Sequence, residues 1–310
     1  MSRGATSTRE VDHGLHWQGE GVGTDAVANQ LAVLLRRAEE HGGEHKSLRT
    51  MNLVVAPDPH KANAHRASLV ETAQHPARMI RLIEHAEDRL DAAVRVRMIG
   101  VGDADMDVLV EDIEIHANRS RLEHADSLIA PLLARGLPTV AWLPGYDHGG
   151  IEASLAIAAH VTVFDSDRDP DPARALAFAH ATALEHPSRD LAWLRTLGWR
   201  QRVSAAFQSE QARGLLAFSP SGDVVGNVHA PAAMLLAAWI AARADVNVTL
   251  RPGTGTDPVE AVTVAGIAIP PGSGAPCSAG QLGEALDTVY SPPLGYEDAL
   301  RTFDRVAIVP

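Results

Sequence analysis

The chain has 310 residues with 39 acidic and 27 basic side chains, a formal net charge of −12 and a single cysteine, Cys277. This net charge argues against electrostatic binding to nucleic-acid phosphates, and one cysteine cannot form an internal disulfide. The N-terminal residues lack the apolar core of a signal peptide, and the apolar run from Ala230 to Ala242 is too short to span a bilayer. We therefore expect a soluble cytoplasmic protein that binds neither nucleic acid nor membrane.

Residues 24–168 are predicted to form an N-terminal α/β domain behind a loose tail, residues 1–23. The tail mixes small and polar residues without periodicity, whereas short apolar runs alternate with helical repeats after it. Two adjacent strands are predicted to form a hairpin, so the sheet is expected to be mixed. The predicted strands are 51–56, 78–83, 94–101 and 108–117 (the hairpin), 138–143 and 161–165, and the predicted helices are 24–41, 59–74, 119–134 and 151–160.

Residues 169–310 are predicted to form a second, helix-rich α/β domain. The acidic and proline-rich run from Asp167 to Pro172 is typical of a domain joint, and we place the boundary after Arg168. In this domain the predicted helices are 173–185, 190–197, 200–213 and 232–243, the predicted strands are 214–219, 223–228, 246–250, 259–269 and 305–309, and a long loop covers 270–280.

No catalytic or cofactor motif occurs in a suitable context. His41-Gly-Gly-Glu44-His45 has the spacing of one zinc-protease motif, but its two glycines disfavour the required helix by about 2 kcal/mol relative to alanine. The glycine-rich stretches lack the strand–loop–helix context of a dinucleotide site, and there is neither a P-loop nor a nucleophile elbow. The sequence therefore predicts no catalytic residue, no metal and no cofactor.

Two polar segments follow predicted strands, at the sheet edge where α/β proteins usually bind ligands. One runs from Trp142 to His148, and the other is Phe164-Asp165-Ser166-Asp167. A structural interpretation stays open beside the functional one, with Trp142 in the core and Asp165 capping the next segment. The functional interpretation makes Trp142 and His148 candidates for partner binding. Its candidates for a ligand cleft, suited to a sugar phosphate, are Asp58, Gly145, Asp147, Asp165 and Ser166.

The segment from Asp190 to Arg200 concentrates two tryptophans and two arginines, Trp193, Trp199, Arg195 and Arg200. Such side chains are enriched at interface hot spots, which favours a partner-binding surface. Equally, Asp190 could cap a short helix and form a structural ion pair with an arginine that clamps the two domains. Gly198 is expected to divide the segment into two helices.

A series of motifs occurs in an order and spacing that resembles one protein family. The most specific are Trp142-Leu-Pro144-Gly145 and Asp190-Leu-Ala-Trp193-Leu-Arg195 with Trp199-Arg200. The others are Thr50-Met-Asn-Leu-Val-Val, His75-Pro-Ala-Arg78-Met-Ile, Leu128 to Leu133 leading to Leu137-Pro-Thr-Val-Ala, Val163-Phe-Asp165-Ser166 and Ala233-Met-Leu-Leu-Ala-Ala-Trp239. In these segments, which cover roughly residues 45–245, the chain resembles the OpcA family of glucose-6-phosphate dehydrogenase assembly proteins.

The resemblance implies a non-enzymatic partner that binds glucose-6-phosphate dehydrogenase, promotes its assembly and raises its activity, supporting the oxidative pentose phosphate pathway. The interface candidates are then Trp193, Arg195, Trp199 and Arg200, with Trp142 and His148 as further candidates. The chain departs from the family pattern in reading Trp142-Leu-Pro, and it lacks the hairpin cysteines of some relatives, which argues against thiol–disulfide control. One competing hypothesis is a small-molecule-binding α/β enzyme or sensor with the ligand cleft described above. Another is a degenerate paralogue whose departures from the family pattern have abolished the interaction.

Overall fold

A computed structural model of the chain describes residues 9–11, 15–41, 49–57, 76–100, 107–145, 149–271, 281–287, 291 and 293–309. The chain divides into two compact units, residues 1–162 and 163–310. This division falls after Thr162, whereas the sequence placed it after Arg168, so Asp165 and Ser166 belong to the second unit. Both units combine strands with helices, which confirms the predicted α/β fold class.

The first unit is built mainly from strands. Its elements are β1 (Arg9–Val11), β2 (His16–Gly19), α1 (Thr24–His41), β3 (Met51–Val55), β4 (Ala77–Glu84), β5 (Asp91–Gly100), β6 (Asp107–Ala117), α2 (Arg119–Leu122), α3 (Ala125–Ile129), a 3-10 turn (Ala130–Leu132), β7 (Thr139–Leu143) and α4 (Gly150–Ala158). β8 (Val161–Phe164) begins in this unit and ends in the second.

The sheet of the first unit has the strand order β1-β5-β6-β4-β3-β7, with β2 also paired to β5. β3 pairs in parallel with β4 and β7, and β4 pairs in parallel with β6. β5 and β6 form the predicted antiparallel hairpin, so the prediction of a mixed sheet is confirmed. All residues of β3 and β7 are buried, as expected for parallel strands covered on both faces.

Apolar periodicity accounts for the core of the first unit. On α1 the buried residues Val27, Leu31, Leu34 and Ala38 recur at helical spacing. On β6 the side chains alternate, with Ile113 and Ile115 fully buried and the intervening Glu114 partly exposed. These two patterns place the helix and the hairpin against the core as the sequence predicts.

Two expectations for the first unit are wrong. The segment expected as a loose tail supplies β1 and β2, because both pair antiparallel with β5. The helix expected over 119–134 is divided into α2, α3 and a 3-10 turn. His124 leaves the helical region at φ −114° and ψ 39°, and Pro131 has no N–H to continue an α-helical ladder. The helix predicted over 59–74 lies outside the described residues.

The second unit contains more helix. Its further elements are a 3-10 turn (Ser166–Arg168), α5 (Pro172–Glu185), β9 (Ser188–Asp190), α6 (Leu191–Arg195), α7 (Leu197–Ala206), α8 (Glu210–Phe218), β10 (Ser221–Gly226), α9 (Pro231–Ala244), β11 (Asn247–Pro252), β12 (Val259–Val264), β13 (Ile267–Ile269), α10 (Gln281–Asp287), α11 (Tyr296–Arg301), a 3-10 turn (Phe303–Arg305) and β14 (Val306–Ile308).

A five-stranded sheet of the second unit has the order β13-β12-β10-β11-β14. β11 is parallel to both β10 and β14, whereas β12 is antiparallel to β10 and β13. α9 connects β10 to β11, and every residue from Pro231 to Ala241 is buried. A helix that is apolar on all sides must be buried in this way, so α9 forms the central core element of the unit.

Several local expectations for the second unit are wrong. Residues 214–218 lie in α8 rather than in a strand, and Ser209 caps this helix by accepting a hydrogen bond from Ala212 N at 3.1 Å. The single helix predicted over 200–213 is accordingly divided between α7 and α8. The strand predicted over 259–269 is a hairpin, since Ala265 and Gly266 both have positive φ and form its turn. The short helices α10 and α11 were not predicted. A loop was expected over 270–280, and its residues 272–280 lie outside the described residues.

Candidate functional site

The tryptophan- and arginine-rich segment of the second unit forms two short helices. Asp190 caps α6 by accepting a hydrogen bond from Ala192 N at 2.9 Å. The division into two helices is confirmed, but it falls at Thr196 rather than at Gly198, which lies inside α7. The Thr196 hydroxyl donates to the Trp193 carbonyl at 2.7 Å and thereby closes the last turn of α6.

Asp190 is a buried carboxylate at the centre of a hydrogen-bond network. Its Oδ1 accepts from Ser166 N at 3.1 Å, and its Oδ2 accepts from Ser166 Oγ at 2.7 Å and from Tyr296 Oη at 3.1 Å. The carboxylate thus joins the 3-10 turn after β8, the start of α6 and the start of α11. The sequence anticipated Asp190 as a cap, but not its partner Tyr296, which lies 106 positions away.

Burial is the main cause of the pKa shifts of Asp190 and Tyr296 in this network. It raises the pKa of Asp190 from 3.8 to about 7, with the neighbouring charges of Asp165 and Asp167 acting in the same direction. Hydrogen bonds from Ser166 only partly oppose that shift. Burial also raises the pKa of Tyr296 well above its usual value, so the phenol remains a proton donor to Asp190.

Arg195 is enclosed by two carboxylates. Its Nη1 and Nη2 donate to the two oxygens of Asp165 at 2.7 Å and 2.6 Å, and Nη1 also donates to Asp167 Oδ2 at 2.7 Å. Burial raises the pKa of Asp167 despite the adjacent guanidinium. The other Asp167 oxygen accepts from Ala232 N at 2.9 Å, at the positive end of the α9 dipole. The structural ion pair was expected between Asp190 and an arginine, but Asp190 is hydrogen-bonded to Ser166 and Tyr296. Arg195 instead pairs with Asp165 and Asp167, all within one unit.

Trp193 lies in the core of the second unit and is only 2% exposed. Its ring centroid is 5.5 Å from that of Tyr296, and the guanidinium carbon of Arg200 lies 3.7 Å from the ring centre. Arg200 Nε donates to Thr196 Oγ1 at 2.9 Å, which fixes this stacking. The expectation that Trp193 itself contacts a partner is corrected here, because its indole is covered within its own unit.

Trp199 is the more accessible of the two tryptophans. It is half-buried, and the guanidinium carbon of Arg202 lies 4.4 Å from its ring centre. The cation–π stack holds both side chains at the surface of α7. Of the predicted partner-binding set, the described Arg195, Trp199 and Arg200 are thus half-buried, whereas Trp142 and Trp193 are buried.

The next helix presents an apolar surface that sequence reasoning did not identify. None of the residues of α8 is buried, and Leu215 and Phe218 are 40% and 89% exposed. They are three residues apart and therefore share a face, whereas the half-buried Ala212 and Leu216 lie on a neighbouring stripe of the helix. We call the surface formed by Leu215 and Phe218 the α8 face. This face was not identified from the sequence because residues 214–219 were predicted as a strand, in which positions 215 and 218 would point to opposite sides.

The other predicted site residues are buried, half-buried or outside the described residues. Trp142 is buried in β7 with 4% exposure, which fits the structural interpretation. Gly145 is half-buried, and Asp165 and Ser166 are buried in the ion-pair and hydrogen-bond networks. The remaining candidates, Asp58, Asp147 and His148, lie outside the described residues, as does most of the His41–His45 motif. The described residues hold no group of three or more potential metal ligands.

The fold and the site define a two-unit α/β protein with an internal ion network in its second unit and a helix, α8, that has no buried residue. Residues 71–180 match the family model described as glucose-6-phosphate dehydrogenase subunit N-terminal domain, and residues 186–275 match the corresponding C-terminal domain. The two matches span more than half of the chain, which belongs to the OpcA family of glucose-6-phosphate dehydrogenase assembly proteins. No curated protein shows a significant match. Among the described residues, no helix is long and apolar enough to cross a membrane.

Proposed function

We propose that this chain is a non-enzymatic partner of glucose-6-phosphate dehydrogenase that promotes assembly of the active enzyme and raises its activity. The observation that carries the proposal is the pair of family matches, which together cover residues from both structural units. The proposed activity would support the oxidative pentose phosphate pathway through the dehydrogenase.

The α8 face is the surface that we assign to the dehydrogenase. Contiguous exposed apolar side chains on a soluble protein mark interaction sites, and a phenylalanine with 89% exposure gains most from being covered. Trp199 and Arg202 on the preceding helix add side-chain types that are enriched at interfaces. In this proposal Asp190, Trp193 and Arg195 are positioning residues, because they hold α6 and the start of α7 from inside the unit.

Activation is explained by thermodynamic linkage. A protein that binds the assembled, active form of the enzyme more tightly than the unassembled form shifts the population towards the assembled form. The extent of the shift is limited by the difference between the two affinities. No catalytic group of the partner protein is needed for this effect.

Size-exclusion chromatography of the chain with the cognate dehydrogenase, with activity assayed across the peaks, tests the proposal. We expect both proteins to elute together, in a larger complex than the enzyme forms alone, and with higher specific activity. Separate elution with unchanged activity would refute the proposed function. Turnover of a substrate by the chain alone would instead favour the competing hypothesis of an enzyme.

A pair of matched variants tests the α8 face. Leu215→Ser and Phe218→Ser remove exposed apolar groups, so we expect little change in the unfolding midpoint but at least tenfold weaker binding of the dehydrogenase. Leu184→Ser on α5 is the control, since Leu184 is also exposed, at 63%, but lies outside the α8 face. If all three variants bind as the unchanged protein does, the dehydrogenase uses another surface.

A further inference from the structure

A polar cavity of about 420 Å³ lies in the first unit, at the amino-terminal edge of its parallel strands. Arg49 precedes β3, Arg78 is the second residue of β4, and the segment from Leu133 to Leu137 precedes β7. This edge is opposite to the one at which the sequence placed a ligand cleft. The described residues that line the cavity are Arg49, Arg78, Leu133, Ala134, Arg135 and Leu137, so half of these are arginines.

Two of the arginines are held by one carboxylate. Glu111 on β6 is fully buried, with Oε1 at 2.8 Å from Arg49 Nη1 and Oε2 at 2.5 Å from Arg78 Nε. Arg78 is itself 8% exposed, and its Nη1 donates to the Leu132 carbonyl at 2.8 Å. The third arginine, Arg135, is exposed and forms no hydrogen bond or ion pair with the described residues. The described lining of the cavity thus carries three guanidinium groups, and the buried carboxylate of Glu111 pairs with two of them.

The wall of the cavity is fixed before any ligand arrives. Asn52 on β3 is fully buried, accepts a hydrogen bond from Ala134 N at 2.8 Å and donates to Ala134 O at 3.1 Å. Gly136 has a φ of +77°, which lets the loop turn back towards β7. A preformed wall lowers the entropy that ligand binding must overcome.

We propose that this arginine cavity binds the phosphate group of a small anionic metabolite. Guanidinium groups form bidentate, charge-assisted hydrogen bonds with phosphate oxygens, and the cavity volume lies within the range of small-molecule sites. The chain as a whole carries a net charge of −12, which repels anions. Attraction of an anion to this cavity must therefore come from the arginines that line it. The proposal does not rest on dehydrogenase binding, since the cavity lies in the first unit and the α8 face in the second.

Isothermal titration calorimetry of the full chain at low ionic strength tests this site, with inorganic phosphate, glucose 6-phosphate and unphosphorylated glucose as probes. We expect both phosphate compounds to bind and glucose not to bind. Arg135→Gln should weaken phosphate binding about tenfold or more, because it removes a charged hydrogen-bond donor. Arg36→Gln is the control with the same change of charge, since exposed Arg36 donates only to its own helix, at Ala32 O.

Each outcome bears on the site. Tighter binding of glucose 6-phosphate than of inorganic phosphate would support a phosphorylated metabolite as the ligand, and equal binding would support free phosphate. The arginine cavity is refuted if neither compound binds at about 10 mM, or if Arg36→Gln weakens binding as much as Arg135→Gln does. Arg49→Gln is a second variant, and it should also weaken phosphate binding while the far-ultraviolet circular dichroism stays unchanged.

Discussion

At the scale of single residues, the second unit depends on buried charges that are paired. Arg195 stabilises Asp165 and Asp167 together, and its side chain is only 18% exposed. Removing one member of such a group leaves uncompensated charge in a poorly solvated place. The Trp-rich segment therefore has a structural function that its residue types alone do not reveal.

Arg195→Met is expected to lower the free energy of unfolding by about 3–5 kcal/mol, because it removes the shared partner of two poorly solvated carboxylates. Asp165 then keeps only the longer ion pair with Arg168 at 3.5 Å, and Asp167 keeps its hydrogen bond from Ala232 N. Urea denaturation measures this change. The control is Arg174→Met, which breaks the ion pair with Asp169 at 2.7 Å; Arg174 is 52% exposed, and such a pair contributes about 0–1 kcal/mol. If both variants lost the same free energy of unfolding, the greater burial of the Arg195 ion pairs would not be the cause of their larger contribution.

The stability of the second unit should also depend on pH through Asp190. Its pKa is about 7 in the folded protein and 3.8 as an ordinary carboxyl, so the native state binds this proton more tightly than the unfolded chain does. The contribution of Asp190 to stability is therefore complete below about pH 4 and is lost as the pH rises to about 7. Asp190→Asn should flatten the dependence of the urea midpoint between pH 4 and 8, and an unchanged slope would assign the dependence to another group.

At the scale of elements, α8 shows why helix and strand were confused. The run Leu215-Leu216-Ala-Phe218 is apolar enough for a buried strand, yet the Ser209 cap and the three-residue spacing of its exposed side chains belong to a helix. α10 and α11 were missed for a related reason, since short helices are stabilised mostly by tertiary packing. On α11, Tyr296, Ala299 and Leu300 are all buried.

Gly214→Ala is expected to stabilise α8. A Cβ at position 214 meets no atom within 4 Å, and alanine is favoured over glycine inside a helix by about 1 kcal/mol. The free energy of unfolding and the helical circular dichroism signal should both rise. Gly226→Ala provides the contrast, because its Cβ would meet the Pro258 carbonyl oxygen at 2.1 Å; this variant should be destabilised. A loss of stability in Gly214→Ala would mean that α8 is not helical at this position.

At the scale of the whole molecule, assembly and simple activation make different predictions. If the chain acts by favouring the assembled dehydrogenase, its effect should be large at low enzyme concentration and decline as the enzyme assembles by itself. Specific activity measured over a dilution series, with and without the chain, checks this. A constant activation at every enzyme concentration would instead point to a change within an already assembled enzyme.

The sequence by itself determined the α/β class, most central strands, the hairpin of β5 and β6, and the family. These follow from periodicity and ordered motifs, which are local properties of the chain. Only the tertiary structure decided that Trp193 is buried, that Tyr296 donates to Asp190, and that arginines from positions 49, 78 and 135 line one cavity. Burial and charge compensation depend on residues far apart in sequence, so no local pattern encodes which side chains remain available to a partner or a ligand.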